Sequence, residues 1–141
     1  MAESDSWTKQ KLDSAIAELI NAGLFGDPIL QARPAWQIPG ALLIAECQVG
    51  AARYWLIAGE DSPTDLITAR LALNPRAAAR HFAMKWQLAA EQLKGGQRQV
   101  PEGVDAEMLS QRVQNLIKCA ESLAELSAQD ALWGELESLA R

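Results

Sequence analysis

This chain is poor in basic residues, has one histidine and two cysteines, and lacks any long apolar run, and each shortage closes off a class of function. Thirteen Lys and Arg against 18 Asp and Glu leave a net charge of −5. That balance argues against nucleic acid as a partner, because phosphate binding needs clustered cations. Cys47 and Cys119 stand far apart with no CxxC pair, so both are expected to be free thiols in a reducing compartment. One histidine and two distant cysteines make no metal-ligand set. No apolar run approaches the roughly 18–20 residues that cross a bilayer. The opening MAESDSWTKQ has no basic-then-apolar leader pattern. GxGxxG, P-loop, HExxH and GxSxG signatures are missing as well. The expectation is a cytoplasmic protein with no cofactor, metal, nucleic acid or membrane.

What is present is an ordinary globular composition, 49% hydrophobic and 22% charged over 141 residues. A single domain, 1–141, is expected, long enough to bury roughly 68–70% of the surface of its unfolded form. Five Trp against two Phe and one Tyr is an uneven aromatic balance. Each Trp hides a large apolar area yet keeps one N–H that needs an acceptor, which places Trp at core edges or in a binding groove.

Periodicity predicts a first helix from about Ser6 to Ala22, carrying Leu12, Ile16, Leu19 and Ile20, with Gly23 at its left-handed end. Leu24 to Gly40 contains Pro28, Pro34 and Pro39, so it reads as a connection, with Trp36 and Ile38 able to begin an edge strand. Ala41–Cys47 and Arg53–Ala58 read as an antiparallel hairpin with a five-residue loop, needing helical cover. Leu66–Thr68 is left open between strand and helix. Asn74-Pro75 is the sharpest helix start in the chain, an N-cap followed by proline at the first helical position. That helix runs to Gly95-Gly96 and presents Ala78, Phe82, Trp86, Ala89 and Leu93 inward, with Met84 beside them. Another helix is expected over Asp105–Leu126. A last one follows Ser127, anchored by Leu132, Leu136 and Leu139. The predicted class is α+β, mainly helical, with four to five helices packed on a small antiparallel sheet built on the hairpin.

The chemistry is concentrated between Tyr54 and Leu93. Glu60, Asp61 and Asp65 put three carboxylates within six positions of a turn that follows a strand. Such a cluster suits a hard cation or an acid–base pair, but its spacing matches no calcium loop, and Pro63 and Asp65 also read as turn-formers. Leu66 to Ala90 holds Arg70, Arg76, Arg80 and Lys85 and no acid. Arg76 and Arg80 sit near the positive end of a helix macrodipole, which favours an anion or the acidic turn nearby. At least one of Glu60, Asp61 or Asp65 is therefore expected close to Arg76 or Arg80. His81 is readable as an acid–base group, and more simply as a solvated helix residue. Trp86 is expected in the core, while Tyr54, Trp55 and Trp86 read either as pocket lining or as core.

WLIAGEDSPTD followed by LNPRAAARHFAMKWQ resembles a family of small uncharacterised bacterial proteins. That family shares a WxIxG(E/D)..PTD turn and a later (N/H)PRxAxxxF...W helix. Trp55, Ile57, Gly59, Glu60, Pro63, Thr64 and Asp65 match the first element; Asn74, Pro75, Arg76, Ala78, Phe82 and Trp86 match the second. The resemblance spans about 40 of the 141 residues. It implies a domain and supplies no catalytic residue.

Two functional expectations follow. The preferred one is a non-catalytic cytosolic protein-binding protein, adaptor- or immunity-like by size and acidity, whose partner is another protein, with a homodimer as a further option. The alternative is a small enzyme using Glu60, Asp61 and Asp65 while Arg76 and Arg80 bind an anionic substrate. The candidate ligand or partner surface comprises Glu60, Asp61, Asp65, Arg76, Arg80 and His81. A pocket at the turn with a raised carboxylate pKa would favour the enzyme, and an exposed apolar patch the binder.

Overall fold

A computed structural model describes residues 2–24, 29–96 and 102–133. Helix α1 (Ala2–Asn21) is followed by strands β1 (Ile29–Ile38), β2 (Leu42–Val49), β3 (Ala52–Gly59) and β4 (Asp65–Thr68). Helices α2 (Pro75–Lys94) and α3 (Ala106–Ser127) complete the order, with short 3-10 turns at Ala69–Leu71 and Asp130–Leu132. The strands form one antiparallel sheet in the order β1-β2-β3-β4.

The sheet is covered on both faces, and the sequence of its central strands says why. Successive side chains of a strand point to opposite faces. In β2, Leu42 and Ile44 join the α2–α3 side, while Leu43 and Ala45 face α1. In β3, Trp55 and Ile57 join the first set, and Leu56 and Ala58 the second. LLIA and WLIA are therefore apolar at every position, as strands buried on both faces require. Leu12, Ala15 and Leu19 of α1 close one face. Phe82 and Trp86 of α2, with Ala120 and Leu123 of α3, close the other. Each fully buried Leu, Ile or Phe contributes about 1.5–3 kcal/mol against the conformational entropy of folding.

Four sequence expectations are corrected. The described residues contain three α-helices and a four-stranded sheet, not four to five helices on a hairpin, so the fold is α+β but not mainly helical in the expected sense. The tract read as a proline-rich connection, with an edge strand able to begin at Trp36 and Ile38, contains β1, an edge strand that already starts at Ile29 and, among the described residues, pairs only with β2. Pro34 is tolerated there because an edge strand leaves one row of N–H groups unused, and the register slips between Pro34 and Trp36. The hairpin pairs Val49 with Ala52, so its loop is Gly50-Ala51. Gly50 takes φ 59°, the left-handed first position of a two-residue turn. Finally, Ser127 caps no further helix: it is the last residue of α3, and its hydroxyl donates to the Ala124 carbonyl at 2.8 Å. Among the described residues the turn Asp130–Leu132 follows it; Leu136 and Leu139, the other anchors of the expected last helix, lie outside the described residues.

Leu66–Thr68, left open between strand and helix, belongs to a strand. The Asn74 side chain accepts the Ala77 N–H at 2.8 Å with Pro75 following it, and Asp105 caps α3 in the same way through Met108 N–H. No helix of the described residues is long and apolar enough to cross a membrane.

Candidate functional site

The acidic turn is tied into the fold at each of its three carboxylate residues. Gly59, which ends β3, sits so close to the preceding hairpin that a Cβ would stand 2.6 Å from the Ala41 carbonyl oxygen. That contact explains the glycine, and the Glu60 N–H donates to the same carbonyl at 3.0 Å. The Glu60 carboxylate accepts the Trp7 indole N–H at 2.6 Å and lies 3.5 Å from Lys11 Nζ. The indole hydrogen bond, then the Lys11 charge, hold its carboxyl below the usual glutamate range. Asp61 offers its backbone carbonyl to the Cys119 thiol at 3.2 Å. Asp65 is fully engaged: Oδ1 accepts from Lys85 Nζ and from Leu66 N–H, each at 2.8 Å, and Oδ2 accepts the Trp86 indole N–H at 3.0 Å.

The arginines serve another part of the molecule. Arg76, the second residue of α2, is 0% exposed. Its Nε donates to the Ser127 carbonyl at 2.7 Å and its Nη2 to Asp130 Oδ1 at 2.7 Å. An arginine in the first turn of a helix opposes the helix dipole. The carboxylate that compensates it is Asp130, not the acidic turn. Arg80, one turn later, is half-buried and makes no ion pair among the described residues. The expected pairing of Glu60, Asp61 or Asp65 with Arg76 or Arg80 is therefore not what the structure brings together. Asp65 does engage α2, but through Lys85. His81 is half-buried on α2, with no hydrogen-bond partner among the described residues.

The five tryptophans carry the same theme. Each indole N–H reaches an acceptor on another segment: Trp7 to Glu60, Trp36 to Leu132 O, Trp55 to Ala72 O, Trp86 to Asp65, and Trp133 to Leu126 O. Trp36 and Trp133 also stack, with ring centroids 4.0 Å apart and planes 14° from parallel. This stack joins the edge strand to the segment that follows α3. Trp55 and Trp86 are buried, so they belong to the core, while Tyr54 is half-buried. Cys47 is on a β2 position facing α1, and Cys119 packs against the core on the other side of the sheet. Both are free thiols, and burial pushes both above the usual cysteine range. Neither is an activated nucleophile. Among the described residues no group of three or more His, Cys, Asp or Glu is placed to hold a metal.

Two features stand outside this internal network. An open groove of about 330 Å³ runs between β1 and the start of α2, lined by Arg33, Pro34, Glu46, Trp55, Leu73 and Asn74. Glu46 bridges Arg33 at 2.7 Å and Arg53 at 3.6 Å beside it, so its charges are largely compensated. The second feature is the outward face of α2, where Met84 is 68% and Leu88 54% exposed; Leu73, 87% exposed, precedes the helix and belongs to the groove. Met84 was expected beside the inward stripe, and the helix geometry corrects this. Two residues along a helix turn it by about 200°, so Met84 lies opposite Phe82 and Trp86, and Leu88 follows it one turn later. That spacing was the signal available in the sequence.

The chain belongs to a family described as a domain of unknown function (DUF4826), which matches residues 2–133. The matched span closes at Trp133, the residue whose indole stacks on Trp36. No curated protein and no solved structure matches the chain.

Proposed function

We infer that this protein is a non-catalytic cytosolic binding protein whose outward α2 face receives another protein. The observation that carries the reading is the exposure of Met84 and Leu88 along one side of a helix whose other side is closely packed. A folded chain gains nothing by leaving two large apolar side chains in water one turn apart, whereas a docking surface needs them there. Further support comes from the acidic turn. The carboxylates of Glu60 and Asp65 are occupied by Trp7, Lys11, Lys85 and Trp86, and the Glu60 pKa moves down rather than up. A general acid would need the opposite shift.

The motifs read in the sequence fit a bacterial family whose shared residues maintain this scaffold. Gly59 permits a close approach, Asn74 caps α2, and Trp55, Asp65, Arg76 and Trp86 connect separate segments. Two free thiols with raised pKa values, Cys47 buried and Cys119 half-buried, suit a reducing cytoplasm.

An affinity pull-down from the native host tests the assignment, with wild-type protein beside Met84→Asp/Leu88→Asp and Arg80→Glu. Circular dichroism checks that each variant is folded. A protein captured by the wild type and lost with the α2 variants is expected. Capture of no protein, or capture indifferent to all of these changes, contradicts the reading.

A further inference from the structure

We propose that the partner presents an acidic amphipathic helix to the outward face of α2. The proposal rests on the docking reading above and adds the partner's chemistry. Met84 and Leu88 stand one turn apart on the outward side of α2, 68% and 54% exposed. Together they form a short apolar ridge of roughly 6 Å along the helix axis. A second helix laid along such a ridge contacts it through residues spaced i, i+3, i+4 and i+7.

Charge selects the sign of that helix. Arg80 flanks Met84 on one side, His81 and Lys85 lie on the other, and Arg70 is exposed ahead of α2. Lys85 is paired with Asp65, while Arg80 has no ion pair among the described residues. No acid appears between Leu66 and Ala90; Glu91 is the first, at the far end of the ridge. In a chain of net charge −5, the apolar ridge thus coincides with the longest stretch free of negative charge. A carboxylate-flanked helix gains complementary contacts there, and a lysine-flanked one meets like charge. The same charges oppose a symmetric dimer through α2, which would bring Arg80 and Lys85 toward their own copies.

The test uses the full chain and two fluorescent peptides of about 18 residues, a length that covers roughly 27 Å as helix. Both carry leucines at the spacing above; one has Glu flanks, the other Lys flanks. Anisotropy titrations should show saturable binding of the Glu-flanked peptide and at least about tenfold weaker binding of the Lys-flanked one. Arg80→Glu and, separately, Leu88→Asp should each weaken the first by about tenfold. Higher salt should weaken it as the screening length shrinks from about 10 Å at 0.1 M to about 3 Å at 1 M. Equal affinity for the two peptides, no effect of Arg80→Glu, or no saturation of the Glu-flanked peptide overturns the proposal. A dimer that Leu88→Asp dissolves, seen by light scattering, also overturns it by seating a second copy on the face. If the pull-down instead yields an α2-dependent partner with a basic docking helix, the docking assignment stands and only the acidic partner falls.

Discussion

The two sides of α2 contrast more sharply than any other pair of regions in the molecule. The inward side carries Arg76, Phe82 and Trp86, each buried, and two of them hold hydrogen bonds to segments far away in the chain. The outward side carries Met84 and Leu88, which are mostly exposed, and the half-buried Arg80, which makes no ion pair among the described residues. One helix thus has an arginine and large side chains on both sides, serving opposite ends. The residues that most resemble a catalytic apparatus, an arginine, a tryptophan and a cluster of carboxylates, are engaged in holding the layers together. The plain residues on the opposite side form the face proposed above for a partner. Chemical character alone therefore does not distinguish a site from a scaffold; what distinguishes them is whether the polar atoms are already satisfied.

The contrast is broken or sharpened by variants on each side. Trp86→Ala removes a buried ring and leaves Asp65 with one fewer donor, and should cost about 3–5 kcal/mol in urea unfolding. Arg76→Met should cost about 3 kcal/mol, because the buried Ser127 carbonyl loses its charged donor and α2 is released from the end of α3. A double-mutant cycle on Trp86→Phe and Asp65→Asn should give a coupling of about 1.5–3 kcal/mol, the range for a hydrogen bond to a charged group. Leu88→Ser should change stability by no more than about 0.5 kcal/mol, as for surface sites away from such contacts.

The smallest expected effect lies at Glu60. Its folded pKa is depressed by Trp7 and Lys11, so the stabilisation it brings is present above its unfolded value and is lost as pH falls through the folded one. In an NMR titration, Trp7→Phe should move the Glu60 pKa upward further than Lys11→Met, following the order of the two causes. The reverse order would show that charge, not the indole, dominates.

Much of this arrangement was legible before the structure. Asn74-Pro75, the paired strands, Asp105 and the core position of Trp86 follow from local rules of capping, periodicity and burial. Each tryptophan's need for an acceptor was also readable, but not which acceptor it finds. Asp130 stands 54 residues from Arg76 in the chain, and no local pattern joins them. The charge segregation of Leu66–Ala90 was read as an internal pairing with the acidic turn; the fold sends Arg76 to the end of α3 and gives Asp65 to Lys85. β1 was hidden because proline is a breaker in a helix or central strand yet is tolerated at an edge. The outward ridge was missed because Met84 and Leu88 were not weighed against the geometry that puts them opposite Phe82 and Trp86.

The central claim is that α2 is scaffold on one side and docking surface on the other. Urea unfolding of Leu88→Ser beside Trp86→Ala tests it most directly. A gap of about 3 kcal/mol or more between the two variants, with Leu88→Ser close to wild type, is the predicted result. Equal loss of stability in the two would show that Leu88 is packed within its own protein and would contradict the account.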